Sequence, residues 1–214
     1  MLLDAQQLAL ALEKMDQTNA PAVVLAALSP QSCRRLTDAA RVLSYRPGKE
    51  RIGEGDKAVY QDFRLTADWP VGSPFLALGA QLAQLFHQAD RLTGGAVLPE
   101  GFTLNDHMAL FYPTGSKGIT PHRDLSRFAG VISLITLSGK AEFVTSDDRQ
   151  AKTNRQTFAL RAGRLLLLRG AAFGCAARTA DTPAPAQPDR RPFHAVQKVT
   201  EDRYCLGFRY DREL

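Results

Sequence analysis

Tyr112-Pro113-Thr114-Gly115-Ser116-Lys117-Gly118-Ile119-Thr120-Pro121-His122-Arg123-Asp124 is the stretch on which the reading of this chain turns. A Gly-bearing turn leads to a histidine and an aspartate two residues apart, and an apolar run, Val131-Ile132-Ser133-Leu134-Ile135, follows. On an extended strand, side chains two apart share a face, so His122 and Asp124 would present an imidazole and a carboxylate to one point. A second histidine from far along the chain completes a two-His-one-carboxylate set. That set holds Fe(II) and leaves positions open for a co-substrate and dioxygen. The H-x-D pair is too short to stand alone; its weight comes from its surroundings.

Those surroundings are strands. Leu104, Asp106, Met108, Leu110 and Tyr112 alternate with Asn105, His107, Ala109 and Phe111, which gives an extended segment two distinct faces. Downstream, 131–137, 141–145, 157–160, 165–168, 193–198 and 203–210 read as further short strands separated by Gly and polar turns, the pattern of a sandwich or barrel.

Upstream the period changes. Residues 4–16 carry Leu8, Leu10, Leu12 and Met15 and read as a helix; 22–26 is a short apolar strand. Ser29-Pro30 is a hydroxyl cap followed by Pro at the first helical position, opening a helix to about residue 43 with Leu36, Ala39, Ala40 and Leu43 inward. Residues 44–55 are polar and read as a loop, and 58–66 (Val59, Tyr60, Phe63, Leu65) as extended chain. Ser73-Pro74 repeats the cap signature before the strongest helix, 75–92, with Leu78, Leu82, Leu85 and Phe86 at helical spacing and Gly94-Gly95 closing it. Helices first and strands afterwards predict an α+β fold, a jelly roll with N-terminal helices packed on one side. Residues 170–191, with Pro183, Pro185 and Pro188, predict an irregular loop that either lines the mouth of a site or is a surface insertion.

A chain of 214 residues with 44% hydrophobic and 23% charged content suits one soluble domain. No apolar stretch is long enough to span a bilayer, and no basic segment followed by an apolar core opens the chain, so neither a membrane partner nor secretion is expected. Cys33, Cys175 and Cys205 are odd in number and form no C-x-x-C, which points to buried thiols and a reducing, cytoplasmic setting. Net charge is +5, and between 149 and 191 nine Lys/Arg face only Asp181 and Asp189. Such a stretch either attracts a polyanion such as nucleic acid or is a solvated surface; no zinc-finger, helix-turn-helix or RNP signature accompanies it.

Three features join the H-x-D pair. His194 follows the Pro-rich segment and opens a strand. Arg203 and Arg209 are six apart in Arg203-Tyr204-Cys205-Leu206-Gly207-Phe208-Arg209, an even spacing that puts both on one strand face. Arg161-Ala162-Gly163-Arg164-Leu165-Leu166-Leu167-Leu168 is a turn feeding a buried strand.

The order of strand, Tyr-Pro-x-Gly turn, H-x-D, apolar strand, G-x-L-L-L-L strand, His and R-x-x-x-x-x-R resembles the AlkB-like branch of Fe(II)/2-oxoglutarate-dependent dioxygenases, over residues 102–210. The resemblance implies a double-stranded β-helix core. It implies His122, Asp124 and His194 as iron ligands and Arg203 as the partner of the distal carboxylate of 2-oxoglutarate. Tyr112 would hydrogen-bond the same co-substrate, and Arg209 would lie near its other end or brace Asp124. It further implies residues 102–214 as the catalytic core and 1–101 as helical support with a substrate lid, in one integrated domain. The implied activity is hydroxylation or oxidative demethylation with release of succinate and CO2, on an alkylated nucleobase of DNA or RNA. The chemistry itself asks for such residues: a dicarboxylate needs a planar, permanently charged fork, which Arg presents.

The sequence departs from that pattern. Leu110 and Cys205 stand where the family carries Asn, and Ser126 where it carries an acid that reads a base edge. A free small molecule or a protein side chain is the alternative substrate, and a non-catalytic jelly-roll binding protein the alternative class. Trp69, with Tyr45, Tyr60 and Phe63, falls in the segment where the family keeps its lid, and either stacks on a base or plugs the core. His87 and His107 belong to no motif and read as structural or exposed.

Overall fold

The computed structural model describes residues 1–174 and 189–214. The helix starts follow the local chemistry. In α1 (Ala5–Gln17), the Asp4 carboxylate accepts from the Gln7 amide and the Asp4 amide donates to the Gln7 side chain, a reciprocal capping box. β1 (Ala22–Ala26) follows, then α2 (Pro30–Arg41), capped by Ser29 with Pro at its first position. The polar stretch expected to be all loop contains two two-residue strands, β2 (Arg46–Pro47) and β3 (Arg51–Ile52). The extended segment at 58–66 splits at Phe63 into β4 (Val59–Asp62) and β5 (Arg64–Thr66). α3 (Pro74–Leu92), capped by Ser73, completes the N-terminal elements.

Eight strands remain: β6 (Asp106–Tyr112), β7 (Gly118–His122), β8 (Phe128–Thr136), β9 (Ala141–Ser146), β10 (Gln156–Leu160), β11 (Arg164–Arg169), β12 (Phe193–Gln197) and β13 (Arg203–Asp211). With the five earlier strands they form two antiparallel sheets, ordered β1-β11-β8-β13-β6-β5-β2 and β10-β9-β12-β7-β4-β3. The architecture is a jelly roll, the double-stranded β-helix, with its helices on one side. Strands from before residue 102 extend both sheets: β5 pairs with β6 and β4 with β7, which is why the chain must break at Phe63.

Alternation decides which residues line the interior. In β11, Leu165 and Leu167 turn to the helices, packing with Leu8, Leu12, Phe75, Leu82 and Phe86; Leu166 and Leu168 turn into the roll with Phe143, Leu160 and Val196. A four-leucine run therefore reads as a strand covered on both faces. Each such side chain contributes about 1.5–3 kcal/mol on burial. α3 comes so close to β13 that a Cβ at Gly79 would stand 2.8 Å from the Phe208 ring. Of the expected loop at 170–191, residues 175–188, with Cys175, Pro183, Pro185 and Pro188, lie outside the described residues. No described helix is long and apolar enough to cross a membrane.

Candidate metal centre

β7 and β12 run antiparallel with His122 directly opposite His194, and a bulge follows between His194 and Val196. Gly118 makes the close pairing feasible: its φ is +77°, and a Cβ there would collide with the Val196 carbonyl oxygen. β7 ends at His122, so Asp124 stands in the turn beyond it. Regular strand alternation therefore does not bring His122 and Asp124 together; the turn folds the carboxylate back over the two imidazoles.

His122 Nε2 lies 3.9 Å from Asp124 Oδ1, and His194 Nε2 lies 3.5 Å from Asp124 Oδ2. The three ligand atoms fall within 4.8 Å of one another, the one such His/Cys/Asp/Glu group of three among the described residues. Ligands at right angles around a common ion about 2.1 Å away stand about 3 Å apart.

Hydrogen bonding fixes the ligand faces. His122 Nδ1 lies 2.9 Å from the Thr120 carbonyl oxygen, to which it can only donate, leaving the Nε2 lone pair toward Asp124. The His194 ring stacks on Phe143 with centroids 5.4 Å apart, and its Nδ1 faces the Pro192 carbonyl without a well-formed hydrogen bond. Burial pulls the His194 pKa down to about 4; nearby His122 adds to this, and Asp124 opposes it. His194 is thus a neutral imidazole at neutral pH. For Asp124, burial pushes the pKa up, but His194, His122, Arg209 and Arg191 together outweigh it and hold the carboxyl below its ordinary range. Both groups stand in the protonation state that a divalent cation requires, and a donor set of two imidazoles and one carboxylate fits Fe(II).

Deeper in the roll, Arg203 is 1% exposed. Its Nη2 donates to Thr136 Oγ1 at 3.3 Å, and Nε and Nη1 have no partner among the described residues. No described carboxylate forms a salt bridge with it. An unpaired buried charge costs several kcal/mol, so the folded chain carries a standing demand for an anion at this point. Tyr112, its cross-strand neighbour, places its ring centroid 5.1 Å from the guanidinium carbon. Burial, with Cys205 adding to it, pushes the Tyr112 phenol up against the opposing pull of Arg203, so it keeps its proton and can donate. Thr145, paired with His194 on the neighbouring strand, is fully buried with its hydroxyl unpartnered among the described residues.

Arg209 is placed differently. It forms an ion pair with Asp106, its cross-strand partner, and stacks its guanidinium carbon 4.0 Å from the Phe128 ring centroid. It reaches Asp124 through its charge. Asp106, Thr136 and Thr145 did not emerge from motif order. The available signal was alternation: Thr136 shares a face with Ile132 and Leu134, and Thr145 with Phe143.

Of the two alternatives for Trp69, the core plug is correct. Trp69 packs on His107 at 4.2 Å, Phe75 at 5.3 Å and Phe208 at 5.7 Å, on the helix-covered face of the large sheet. A seven-stranded sheet therefore separates it from the candidate metal ligands. Tyr45 joins the same side through Phe111 and Tyr204, Tyr60 is exposed, and Phe63 packs inside the roll on Tyr112 at 5.2 Å.

No protein-family model matches the sequence, and no curated protein is similar to it. Solved structures share its fold. A Trichoplax adhaerens prolyl hydroxylase, in complex with a hypoxia-inducible-factor oxygen degradation domain peptide, superposes with a TM-score of 0.67 at 13% identity, over 98% of this chain and 91% of that one. HygX from Streptomyces hygroscopicus, with nickel and 2-oxoglutarate bound, gives 0.57 at 16% identity over 94% and 85%. OsALKBH1 gives 0.54 at 14% identity over 88% and 96%.

Proposed function

We propose that this chain is an Fe(II)- and 2-oxoglutarate-dependent dioxygenase that hydroxylates or oxidatively demethylates its substrate. The observation that carries this reading is the pairing of two incomplete sites in one interior. His122, Asp124 and His194 form a cation site in which Asp124 is held ionised and His194 neutral. Arg203 is a buried cation without an anion among the described residues. A molecule that carries a carboxylate at one end and chelates a metal at the other satisfies both, and 2-oxoglutarate is such a molecule.

In this reading His122, Asp124 and His194 hold the iron, which supplies oxygen activation coupled to decarboxylation of the co-substrate. Arg203 takes the distal carboxylate through its free Nε and Nη1, Thr136 fixes the guanidinium plane, and the Tyr112 hydroxyl donates to the same end. Arg209, held by Asp106, adds its charge, after His194 and His122, to those that hold the Asp124 carboxyl low. The apolar walls from Phe128, Phe143 and Leu134 exclude water from the reacting centre. Residues 102–214 supply the ligands and the co-substrate anchors alike, with 1–101 as their support, and two buried free thiols, Cys33 and Cys205, suit a reducing, cytoplasmic setting.

The order of motifs supports the AlkB-like branch, with an alkylated nucleobase as substrate. Against that substrate stands the exposed Ser126 in the place of a base-reading acid. The solved structures of the same fold include one with a protein peptide bound, which keeps a protein side chain or free small molecule as the second reading. The test is succinate formation by the iron-loaded protein against a panel of methylated oligonucleotides, peptides and metabolites. Stimulation by one class selects the substrate. Absence of any iron-dependent 2-oxoglutarate decarboxylation sinks the enzymatic reading.

A further inference from the structure

A cavity of about 640 Å³ lies beside the candidate metal centre and is lined by none of His122, Asp124 and His194. One wall is Arg123, the residue between the first two ligands, together with Arg191 and Pro192, which shortly precede the third. The β9–β10 hairpin supplies Ser146, Asp147, Asn154, Arg155 and Gln156, and Arg190 completes the charged lining. Its size falls within the range of small-ligand pockets, about 300–1,000 Å³.

The charge balance in this cavity is one-sided. Four guanidiniums, Arg123, Arg155, Arg190 and Arg191, meet two carboxylates, Asp147 and Asp189. Asp147 is engaged by the Asn154 side-chain amide at 2.6 Å. Asp189 is engaged by Arg191, whose Nε donates to Oδ1 at 2.8 Å and Nη2 to Oδ2 at 2.6 Å, with Arg123 Nη1 3.4 Å from Oδ2. Asp189 thus displays what this wall accepts: a planar carboxylate laid across one guanidinium fork and touching a second. Arg155 and Arg190 have no salt bridge among the described residues, and Arg123 Nε is buried without a partner there. Arg155 Nη1 donates to Thr157 Oγ1 at 3.1 Å and its charge reaches Glu142, so among the described residues the cavity lining keeps an excess of two guanidiniums over carboxylates beside the candidate metal ligands.

We propose that this cavity is a subsite for an anionic group, a phosphate or a carboxylate, which the substrate carries on a part remote from the oxidised carbon. As a substrate subsite it rests on the dioxygenase reading above; as an anion site it stands on its own geometry. The anion bridges Arg155 and Arg190, with Arg123 beside it, and so fixes the substrate relative to iron.

The experiment is calorimetric titration of the metal-free full chain with inorganic pyrophosphate and, separately, with citrate. Because metal is absent, failure here leaves the iron reading untouched, and failure of iron binding leaves this result untouched. The double variant Arg155→Gln/Arg190→Gln removes, at exposed positions, the two cavity charges that form no salt bridge among the described residues. Arg161→Gln/Arg164→Gln is the control, removing two exposed charges outside the cavity lining. The expected result is binding to the wild type, weakened about tenfold or more in the first variant and unchanged in the control. The better-bound probe then distinguishes phosphate from carboxylate. Asp189→Asn, which frees the Arg123–Arg191 wall, is expected to tighten binding. Equal affinity in all proteins, or no binding by the wild type, overturns the proposal. Equal affinity is also what an anion seated at Arg203 would give.

Discussion

Arg203 and Tyr112 stand opposite each other across β13 and β6, the guanidinium carbon 5.1 Å from the phenol ring centroid, both almost fully buried. The Arg203 Nε and Nη1 donors are buried without a hydrogen-bond partner among the described residues. Arg203→Met replaces that uncompensated charge with an apolar chain of similar length. Without co-substrate its melting temperature is expected to rise by a few degrees, since apolar replacement of a buried charge is neutral to stabilising by about 1–4 kcal/mol. 2-Oxoglutarate should then stabilise the wild type and not the variant. A variant that melts lower and is still stabilised by the co-substrate would remove Arg203 from its assigned role.

Thr136 Oγ1 accepts a hydrogen bond from Arg203 Nη2 at 3.3 Å and so helps to orient the guanidinium. Thr136→Val keeps the shape and removes the acceptor. The KM for 2-oxoglutarate should rise about tenfold, the value of one hydrogen bond to a charged group, with kcat little changed. Steady-state kinetics at fixed iron checks this split; a fall in kcat at constant KM contradicts it.

Replacing either of the first two candidate ligands tests the proposed metal centre directly. His122→Ala or Asp124→Ala should lower affinity for Fe(II) or its substitute Co(II) by about two orders of magnitude or more. Circular dichroism should remain that of the wild type, because neither residue belongs to the apolar core. Visible absorption of bound Co(II) reports the loss. Undiminished Co(II) spectra in both variants would place the metal elsewhere.

Gly118 is the tightest backbone contact at the site. Gly118→Ala forces a methyl into the Val196 carbonyl and must displace β12, which carries His194. Lower thermal stability and weaker Co(II) binding are expected together. A variant with native metal affinity would show that the β7–β12 spacing tolerates more than the packing indicates.

The Asp189 carboxyl is held below its ordinary pKa first by hydrogen bonds from the Arg191 guanidinium, with Arg123 adding its charge. A carboxyl whose folded pKa is depressed adds stability above its unfolded pKa, about 3.9, and loses it as pH falls through the folded value. The difference in melting temperature between wild type and Asp189→Asn should therefore be flat from about pH 7 to 5 and shrink below about pH 4. Because the group is partly exposed, the difference should be small and salt-sensitive. A difference that grows on acidification would assign the wrong sign to the pair.

Much of the fold was legible locally. Ser29-Pro30 and Ser73-Pro74 marked two helix starts because a cap hydroxyl and a Pro at the first position act within one turn. The alternation of Asp106 to Tyr112 assigned both faces of β6, and the Leu165–Leu168 run announced a strand covered on both sides. The split at Phe63 was not legible, because β4 and β5 differ only in the sheet that receives them.

The site divides along the same line. By itself the sequence determined the residue types and their order, His122, Asp124, His194 and then Arg203, and the resemblance of that order to a known family nominated them as a site, because residue identity and order are properties of the chain alone. Only the tertiary structure decided how they meet. It set His122 against His194 across two strands far apart in the chain, and folded Asp124 back through a turn. It also kept every described carboxylate out of salt-bridge reach of Arg203 and moved Trp69 to the far side of a sheet. Pairing register, burial and charge compensation are properties of contacts between distant segments, and no local pattern encodes them.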